Sequence, residues 1–210
     1  MKKVLVIAAH PDDEVLGCGG TMAKLAADGC EVNVLIVTDG SSSQYADSDN
    51  LQQIIDDKKK ETWNCAQTLG VKQVYYGELP DMRLDTVPHT AINKVIESAI
   101  DQLKPDTVFT HFWGDVNMDH QNVYKSTLVA VRPVMGQTVK EVYCYRVPSS
   151  TEWTPSKTDT MFMSDVFVDI SDVAEQKYEA FSKYSTELRD YPHPRSVQHL
   201  KELDVARGLE

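Results

Sequence analysis

The sequence predicts an α/β fold, a Rossmann-like three-layer αβα sandwich with a mainly parallel sheet. Short apolar runs, each about the length of one strand, alternate along the chain with longer segments of helical periodicity. The first run, residues 4–7, has no polar residue, as expected of a strand that is buried on both faces. A length of 210 residues suits a domain with a substantial core, so we expect residues 1–210 to form a single domain.

The individual elements are predicted in chain order from hydrophobic periodicity. We expect strands near residues 4–7, 32–37, 74–76, 107–110, 142–145 and 166–170. We expect helices near residues 19–27, 51–69, 90–103, 120–131 and 173–188, the second of them ending at Gly70. Alternation of this kind forms βαβ units, which bring the loops after the strands to one edge of the sheet. The chain stops just after a helical pattern, so we expect its natural C-terminus to lie further on, or Leu209-Glu210 to be a vector remnant.

Composition and charge limit the partners of the chain. The formal net charge is −11, so a nucleic acid or an anionic membrane surface would be repelled, and we expect a small neutral or cationic ligand. No apolar segment approaches the length of a membrane span, so no membrane insertion is predicted. The four cysteines form no C-x-x-C pair, which is typical of free thiols in a cytoplasmic protein. The sequence leaves open whether the chain forms a homo-oligomer.

A dense group of polar residues, His10-Pro11-Asp12-Asp13-Glu14, follows the first predicted strand. Turn formation accounts for the proline and for one or two aspartates, so a purely structural turn is an alternative. It does not account for the histidine or for adjacent like charges, which repel each other unless they share a cation. If His10 and Asp13 point to one side of the turn, they supply two of the three protein ligands of a catalytic zinc-type site. Asp12 then faces whatever they hold.

A second polar group, residues 111–120, follows the fourth predicted strand. It contains Asp115, Asp119 and His120, and the predicted topology brings it to the same edge of the sheet as the first group. A single histidine in the first turn of a helix is usually a surface residue. Because two aspartates accompany this one and the strand ends meet here, we predict that His120 is the third metal ligand.

The two polar groups together resemble the PIG-L/LmbE-like family of metal-dependent N-deacetylases. The resemblance rests on Ala9-His10-Pro11-Asp12-Asp13-Glu14 and on Asp115-x-Asn117-x-Asp119-His120, and residues 167–171 and 193–196 also match family members. It covers nearly the whole chain. Enzymes of this family remove the acetyl group from N-acetylglucosamine-type sugars and their conjugates, usually with zinc. The resemblance implies a general base at Asp12 and metal ligands at His10, Asp13 and His120. We also count Asp119 among the catalytic residues.

The main departure from the family pattern is Asn117, where many members have histidine. An asparagine amide can donate a hydrogen bond to a developing oxyanion, so we place Asn117 with the catalytic residues. It cannot deliver a proton near neutral pH. The group that protonates the leaving amine is therefore open between protonated Asp12, His193 and His111.

Candidate substrate contacts are expected at the same edge of the sheet. We predict five of them: Lys58, Arg83, His111, His193 and Arg195. Lys58 stands where the family often has arginine, and it keeps the charge without the bidentate fork. Arg195 is expected to contact a hydroxyl or phosphate of the ligand, with a structural salt bridge as the alternative. The loop that carries Ser149, Ser150 and Trp153 offers side chains that can pack on a sugar or hydrogen-bond to it.

The predicted function is hydrolysis of the N-acetyl group of a small-molecule amino sugar or its conjugate, by a water that a divalent metal activates. We expect zinc, because two nitrogens and one carboxylate oxygen suit it, although the same ligands accept iron, cobalt or manganese. One alternative is a catalytically impaired metal- or glycan-binding member of the same fold, which Asn117 suggests. Another is a nucleotide-dependent oxidoreductase, suggested by Gly17-x-Gly19-Gly20. Those glycines lack the G-x-G-x-x-G spacing and follow three acidic residues, which would repel a pyrophosphate.

Overall fold

A parallel five-stranded sheet lies at the centre of the computed structural model, which describes residues 1–43, 45–155 and 160–209. Its strands are β1 (Lys3–Ala8), β2 (Glu31–Thr38), β3 (Gln73–Leu79), β4 (Thr107–His111) and β5 (Glu141–Tyr145). The α-helices of the described ranges are α1 (Asp13–Ala27), α2 (Leu51–Thr68), α3 (His89–Leu103), α4 (Met118–Ala130), α5 (Ala174–Phe181) and α6 (Val197–Arg207). Within those ranges, none of the helices has the length and apolar character needed to cross a membrane. The expectation about the C-terminus involves Glu210, which lies outside the described residues.

The strand order β3-β2-β1-β4-β5 places the first strand in the middle of the sheet. The chain moves outward from β1 to β3 on one side and from β4 to β5 on the other, so the direction of winding reverses between β1 and β4. These two strands pair in parallel, with Val6 opposite Phe109. In open α/β sheets such a reversal leaves a crevice at the carboxyl ends of the strands, where ligands bind. The turns after β1 and β4 carry the two polar groups.

Side chains of β1 alternate between two apolar cores, one on each face of the sheet. Val4 and Val6 belong to the core that α1, α2, α5 and α6 cover, whereas Leu5 and Ile7 belong to the core that α3 and α4 cover. All four are buried, and burial of such a side chain contributes about 1.5–3 kcal/mol. This arrangement explains why residues 4–7 include no polar side chain, and the predicted three-layer αβα sandwich is confirmed.

The glycines of α1 let other parts of the chain pack close to the helix. A Cβ atom at Gly17 would overlap the ring of Tyr145, and one at Gly20 would lie 2.5 Å from Cδ1 of Ile170. A side chain at either position would therefore push the neighbouring element away. Close packing is enough to explain why glycines occupy these positions, which had suggested a nucleotide-dependent oxidoreductase.

The strand predicted at residues 166–170 is wrong. The segment carries no regular secondary structure, and the side chains of Val166 and Phe167 are each 56% exposed. Ile170, at the end of the segment, packs against Gly20 of α1 instead. Packing on a helix requires the same residue types as pairing in a sheet, so the apolar pattern alone could not separate the two.

Two helices have bounds that differ from the predicted ones. α1 begins at Asp13 rather than near residue 19, because the carboxylates of Asp13 and Glu14 stabilise its amino-terminal turn through the helix dipole. The helix predicted at residues 173–188 ends at Phe181 and is followed by turns. One of these turns buries Tyr184 completely. The difference matters for function, because this residue reaches the turn after β1.

Candidate metal centre and active site

Three side chains converge where the winding reverses between β1 and β4. His10 follows β1, Asp13 is the first residue of α1, and His120 lies in the first turn of α4. One donor atom of each lies within 4.8 Å of the other two. Oδ2 of Asp13 lies 3.2 Å from Nδ1 of His10 and 3.2 Å from Nε2 of His120. The structure thus brings together the three residues that were predicted to bind a metal.

The turn after β1 has an unusual backbone. Asp12 has φ of 105° and ψ of −27°, a left-handed conformation that a residue with a Cβ rarely adopts. Such strain costs about 1–3 kcal/mol and persists only where the surroundings hold it. The turn lets Asp13 begin α1, and the N–H of His10 donates to Oδ2 of Asp13 at 2.9 Å. Strain therefore occurs at the point where the candidate ligands meet.

Two further carboxylates support the imidazole rings. Oδ2 of Asp119 lies 3.0 Å from Nε2 of His10, and Oδ2 of Asp115 lies 3.2 Å from Nδ1 of His120. The other nitrogen of each ring, Nδ1 of His10 and Nε2 of His120, faces Asp13. A carboxylate on the far nitrogen fixes the orientation and tautomer of a metal-binding histidine. The contacts of Asp119 are those of a residue that positions a ligand, and its catalytic role stays a prediction.

Sequence reasoning assigned no role to Asp115, although it belongs to the same polar group, residues 111–120, as His120. Its buried carboxylate accepts hydrogen bonds from the hydroxyls of Ser150 at 2.5 Å and Thr151 at 2.6 Å, and from the N–H of Asn117 at 2.8 Å. Burial raises the pKa of Asp115, but the neighbouring imidazole and hydroxyls outweigh this effect and lower it. The two hydroxyls come from the loop after β5, so no local pattern could have predicted this contact.

The carboxylates make the centre of the site favour positive charge. Burial lowers the pKa of His120, but Asp13 and Asp115 outweigh this effect and raise it to about 9. Burial also lowers the pKa of His10, but Asp119 and Asp13 raise it well above its usual value. Neither ring nitrogen of the buried His120 makes a hydrogen bond of good geometry with a described group, so the Nε2 that faces Asp13 has no hydrogen-bond partner. A divalent cation held by the two imidazoles and Asp13 would satisfy both the charge and this nitrogen, so the donor set fits a metal.

The side chain of Asp12 is the candidate general base. It is buried in the wall of a cavity, and its Oδ2 accepts no hydrogen bond from the described residues. Nη1 of Arg195 lies 3.3 Å from this oxygen. Burial raises the pKa of Asp12 well above its usual value, although the charge of Arg195 opposes the rise. A buried carboxyl group in the wall of a cavity, next to three candidate metal ligands, is placed to take up and release a proton.

A buried hydrogen-bonded pair holds the backbone of Asp12. Oε2 of Glu14 accepts the N–H of Asp12 at 3.0 Å, and Oε1 accepts the hydroxyl of Tyr184 at 2.5 Å. Both side chains are buried. Sequence reasoning missed Tyr184, which it placed on a continuous helix. The two partners are 170 positions apart, so no local signal connects them.

His111 lies behind the cavity and is not among the described residues that line it. Its side chain is fully buried, and its Nε2 accepts the N–H of Ala9 at 2.8 Å. Its ring stacks on that of His120, with centroids 3.9 Å apart. Burial lowers the pKa of His111 well below its usual value, and the charge of His120 adds to this effect. These contacts favour a role in packing the ligand, and the predicted roles in substrate binding and proton donation stay predictions.

The other predicted substrate contacts lie at different depths. Arg195 lines the cavity and pairs with Glu187, whose Oε2 lies 2.7 Å from its Nη1. Lys58 is buried next to this pair, with its Nζ 2.6 Å from Oε1 of Glu187. His193 accepts the N–H of Arg195 at 3.0 Å. Arg83 is exposed, and like Lys58 and His193 it is not among the described residues that line the cavity.

The site opens into a cavity of about 560 Å³ at the carboxyl edge of the sheet. Beyond the candidate catalytic residues, metal ligands, Glu187 and Arg195, it is lined by Pro11, Gly40, Asp81, Met82, Asp85, Val116, Met118, Ser149, Ser150 and Trp153. A cavity of this volume suits a small-molecule ligand. The mouth includes Trp153, from the loop that was predicted to pack on a sugar.

Asn117 precedes α4 and caps this helix. Its Oδ1 accepts the N–H of Asp119 at 2.8 Å, which leaves the amide NH₂ group to donate elsewhere. Nδ2 lies 3.6 Å from Sδ of Met82, in the wall of the cavity. A cap of this kind stabilises a protein by about 0.5–2 kcal/mol. The side chain therefore combines a structural role with a hydrogen-bond donor at the cavity.

The fold and the donor set define an α/β protein with a candidate metal centre at the carboxyl edge of its sheet. Residues 5–131 match the family model described as PIG-L: GlcNAc-PI de-N-acetylase. Because the match spans more than half of the chain, the protein belongs to the PIG-L family. The predicted family resemblance is confirmed.

Relatives of the chain agree with this family. The uncharacterized deacetylase YaiS of Escherichia coli is 30% identical over 157 residues, which are 71% of this chain and 76% of that protein. The diacetylchitobiose deacetylase of Thermococcus kodakarensis is 34% identical over 109 residues, which are 51% of this chain and 40% of that protein. The crystal structure of the conserved protein TT1542 from Thermus thermophilus has a TM-score of 0.77 at 23% identity, over 100% of this chain and 89% of that chain. This structural likeness supports the fold.

Proposed function

We propose that the protein is a metal-dependent hydrolase that removes the N-acetyl group from an amino sugar or from a conjugate of one. The observation that carries the proposal is the position of Asp12. Its side chain lies in the cavity wall next to the three candidate metal ligands, and its buried Oδ2 accepts no hydrogen bond from the described residues. Amide hydrolysis needs a deprotonated water and a polarised carbonyl at one point, and this arrangement provides for both. Membership of the family and the named activities of its relatives support the proposed substrate class.

In this proposal His10, Asp13 and His120 hold the metal, and Asp119 and Asp115 hold the two imidazole rings in place. A divalent cation bound there would polarise the acetyl carbonyl and lower the pKa of water from about 15.7 to about 7. Catalytic zinc sites commonly use three protein ligands of these types, so zinc is the metal we propose.

Asp12 would move the proton. Its Oδ2 takes the proton that the attacking water loses, and later gives it to the nitrogen of the amine as the carbon–nitrogen bond breaks. Burial of the carboxyl group favours its protonated form, which holds the proton between the two steps. One residue then acts as base and as acid, so no histidine is required at position 117. His193 and His111 are the alternative acids.

Asn117 would stabilise the oxyanion that forms from the acetyl oxygen. Its Oδ1 is engaged by the N–H of Asp119, so the orientation of its NH₂ group is fixed before substrate binds. Fixed donors are effective because they do not reorganise during the reaction. Loss of one such donor typically raises the barrier by about 3 kcal/mol.

A catalytically impaired binding protein is the second candidate, because Asn117 stands where many family members have histidine. The buried Oδ2 of Asp12, which accepts no hydrogen bond from the described residues, favours catalysis, since binding a metal or a sugar needs no such base. We propose a small-molecule partner and neither nucleic acid nor membrane insertion, in keeping with the net charge of −11. The cytoplasm is the proposed location because the four cysteines are free thiols, and homo-oligomerisation is left open.

Acetate release by zinc-loaded protein tests the proposal. The substrates are free N-acetylglucosamine, its methyl glycoside, N,N′-diacetylchitobiose and UDP-linked N-acetylglucosamine. We expect release from at least one, loss of activity with a chelator, and recovery with added zinc. Zinc-loaded Asp12→Asn protein is the matched control. Stoichiometric zinc without release from any N-acetyl sugar would favour the binding protein.

A further inference from the structure

Four apolar side chains surround the mouth of the active-site cavity. The exposed fractions are 54% for Met82, 49% for Val116, 58% for Met118 and 58% for Trp153. They come from three separate segments, after β3, after β4 and after β5. Large apolar side chains that gather around a pocket, rather than standing singly, mark a surface that binds something apolar. We call these four residues the apolar rim.

The apolar rim is continuous with the proposed reacting centre. Val116 and Met118 flank Asn117 in the sequence, and Sδ of Met82 lies 3.6 Å from Nδ2 of Asn117. The acetyl group must reach Asp12 and the metal ligands, which are buried and polar. The part of a substrate farthest from the acetyl carbon therefore lies at the mouth, against the apolar rim.

The charge of the cavity excludes one large group of substrates. Its described lining includes six carboxylates, those of Asp12, Asp13, Asp81, Asp85, Asp119 and Glu187, against one guanidinium, that of Arg195, and the two imidazoles that are candidate metal ligands. The guanidinium already lies 2.7 Å from Glu187 and 3.3 Å from Asp12. A phosphate or carboxylate at the mouth of the cavity, away from the two imidazoles, would thus meet an excess of like charges, and the one guanidinium of the described lining is already paired.

We propose that the sugar carries an uncharged, apolar group at its anomeric position, an alkyl or aryl aglycone that packs on the apolar rim. The inference rests on the proposed deacetylase function and specifies its substrate class. Trp153 and Met118 determine the preference, because their side chains are the most exposed of the rim. Sugars linked to phosphate or to a nucleotide are poor substrates for the same site.

The test compares kcat/KM for the methyl, hexyl and phenyl β-glycosides of N-acetylglucosamine and for N-acetylglucosamine 1-phosphate. Partial burial of a hexyl chain predicts a kcat/KM at least about tenfold higher than for the methyl glycoside. The kcat/KM for the 1-phosphate should fall below that for the methyl glycoside.

Variants of the rim test the same preference. Trp153→Ala and Met118→Ala should each lower the ratio of kcat/KM for the hexyl glycoside to that for the methyl glycoside severalfold. Trp63→Ala is the matched control, because this tryptophan is 39% exposed on α2 and does not line the cavity, and its ratio should equal that of the wild type.

A binding measurement separates this inference from the proposed function. Calorimetry with Asp12→Asn protein gives the Kd of the methyl and hexyl glycosides without turnover. Tighter binding of the hexyl glycoside with no acetate release from wild type would support the rim and overturn the deacetylase function. Acetate release with equal constants for methyl and hexyl glycosides would overturn the rim and leave the function standing. A preference for the 1-phosphate over the methyl glycoside would also overturn the proposed role of the apolar rim. So would a preference for an N-hexanoyl over an N-acetyl methyl glycoside.

Discussion

The hydroxyl of Tyr184 donates a 2.5 Å hydrogen bond to Glu14, a residue 170 positions earlier in the chain. The same carboxylate accepts the N–H of Asp12, whose backbone is in the strained left-handed conformation. The pair therefore joins the C-terminal third of the chain to the candidate general base. This third lies beyond residues 5–131, which match the family model.

Tyr184→Phe tests that connection. The substitution keeps the packing but leaves an oxygen of buried Glu14 without its donor, which should lower the free energy of unfolding by about 1–3 kcal/mol. We also expect kcat to fall about tenfold, because small displacements of a catalytic group are costly. Denaturant unfolding and steady-state kinetics measure the two effects. Tyr191→Phe, at a half-exposed tyrosine, is the control. A stability loss with unchanged kcat would make the pair purely structural.

Glu187→Gln should change the response of stability to acid. Burial raises the pKa of Glu187, but Lys58 and Arg195 outweigh this effect and lower it. A lowered pKa means that the carboxylate stabilises the fold above its unfolded pKa of about 4.3 and loses this contribution as pH falls through the folded pKa. At pH 7 the variant should therefore be less stable by about 2 kcal/mol, as for loss of a charge-assisted hydrogen bond, and the difference should shrink below pH 4.

Thermal unfolding of both proteins between pH 3 and pH 7 measures this difference. Glu202→Gln, at an exposed position of α6, controls for the loss of one negative charge. A gap between wild type and Glu187→Gln that is constant over the whole range would show that ionisation of Glu187 does not contribute.

The convergence of the metal ligands could be predicted from the sequence for a physical reason. Parallel strands bring their carboxyl ends to one edge of a sheet, so two polar turns after apolar runs must lie near each other if their strands are neighbours. His10 and His120 follow such runs, and β1 and β4 pair directly. The local order of residues was enough to place them.

The residues that hold the metal ligands and Asp12 in position could not be predicted in this way. Tyr184 and Glu187 lie in turns after α5, and Thr151 lies in a loop after β5, where no periodicity determines the direction of a side chain. Their contacts join residues that are far apart in sequence, so they depend on how the layers pack. His111 illustrates the same limit, because its position at a strand end suggested the cavity and its side chain is buried behind a ligand.

His120→Ala should remove most of the metal. The change deletes one of three predicted ligands, and neither Asp13 nor His10 can replace its nitrogen. Purified wild-type protein should contain about one divalent metal per chain, which elemental analysis measures. His199→Ala is the control. Because the side chain of His120 is buried, His120→Asn is a second variant that retains polarity and should also lose metal. Full occupancy in both would rule out this ligand.

Asp12→Asn should retain the metal and lose most of the turnover. The amide has nearly the same shape but cannot accept the proton of the attacking water, so kcat should fall by about 10²–10⁴-fold. Metal content and acetate release are measured on the same sample. Asp57→Asn, on the exposed face of α2, should behave as wild type. A near-normal rate in Asp12→Asn would show that another residue takes the proton.

Three variants of Asn117 separate its two roles. Asn117→Ala removes the helix cap and the amide donor, so we expect a loss of about 1 kcal/mol in stability and about 10²-fold in kcat, with unchanged metal content. Asn117→Ser keeps a capping oxygen on a shorter side chain, so it should recover the melting temperature but not kcat. Asn117→His should keep measurable activity, because an imidazole can also donate a hydrogen bond at this position.

The pH dependence of kcat shows how Asn117 acts. An amide that only donates a hydrogen bond does not titrate, so Asn117→Ala should lower the pH profile at every pH and preserve its shape. The limbs of the profile would then belong to Asp12, to another histidine or to the activated water. Loss of the basic limb in Asn117→Ala would contradict a purely hydrogen-bonding role. Equal rates for the alanine, serine and wild-type proteins would place Asn117 outside the reacting centre and leave it as the cap of α4.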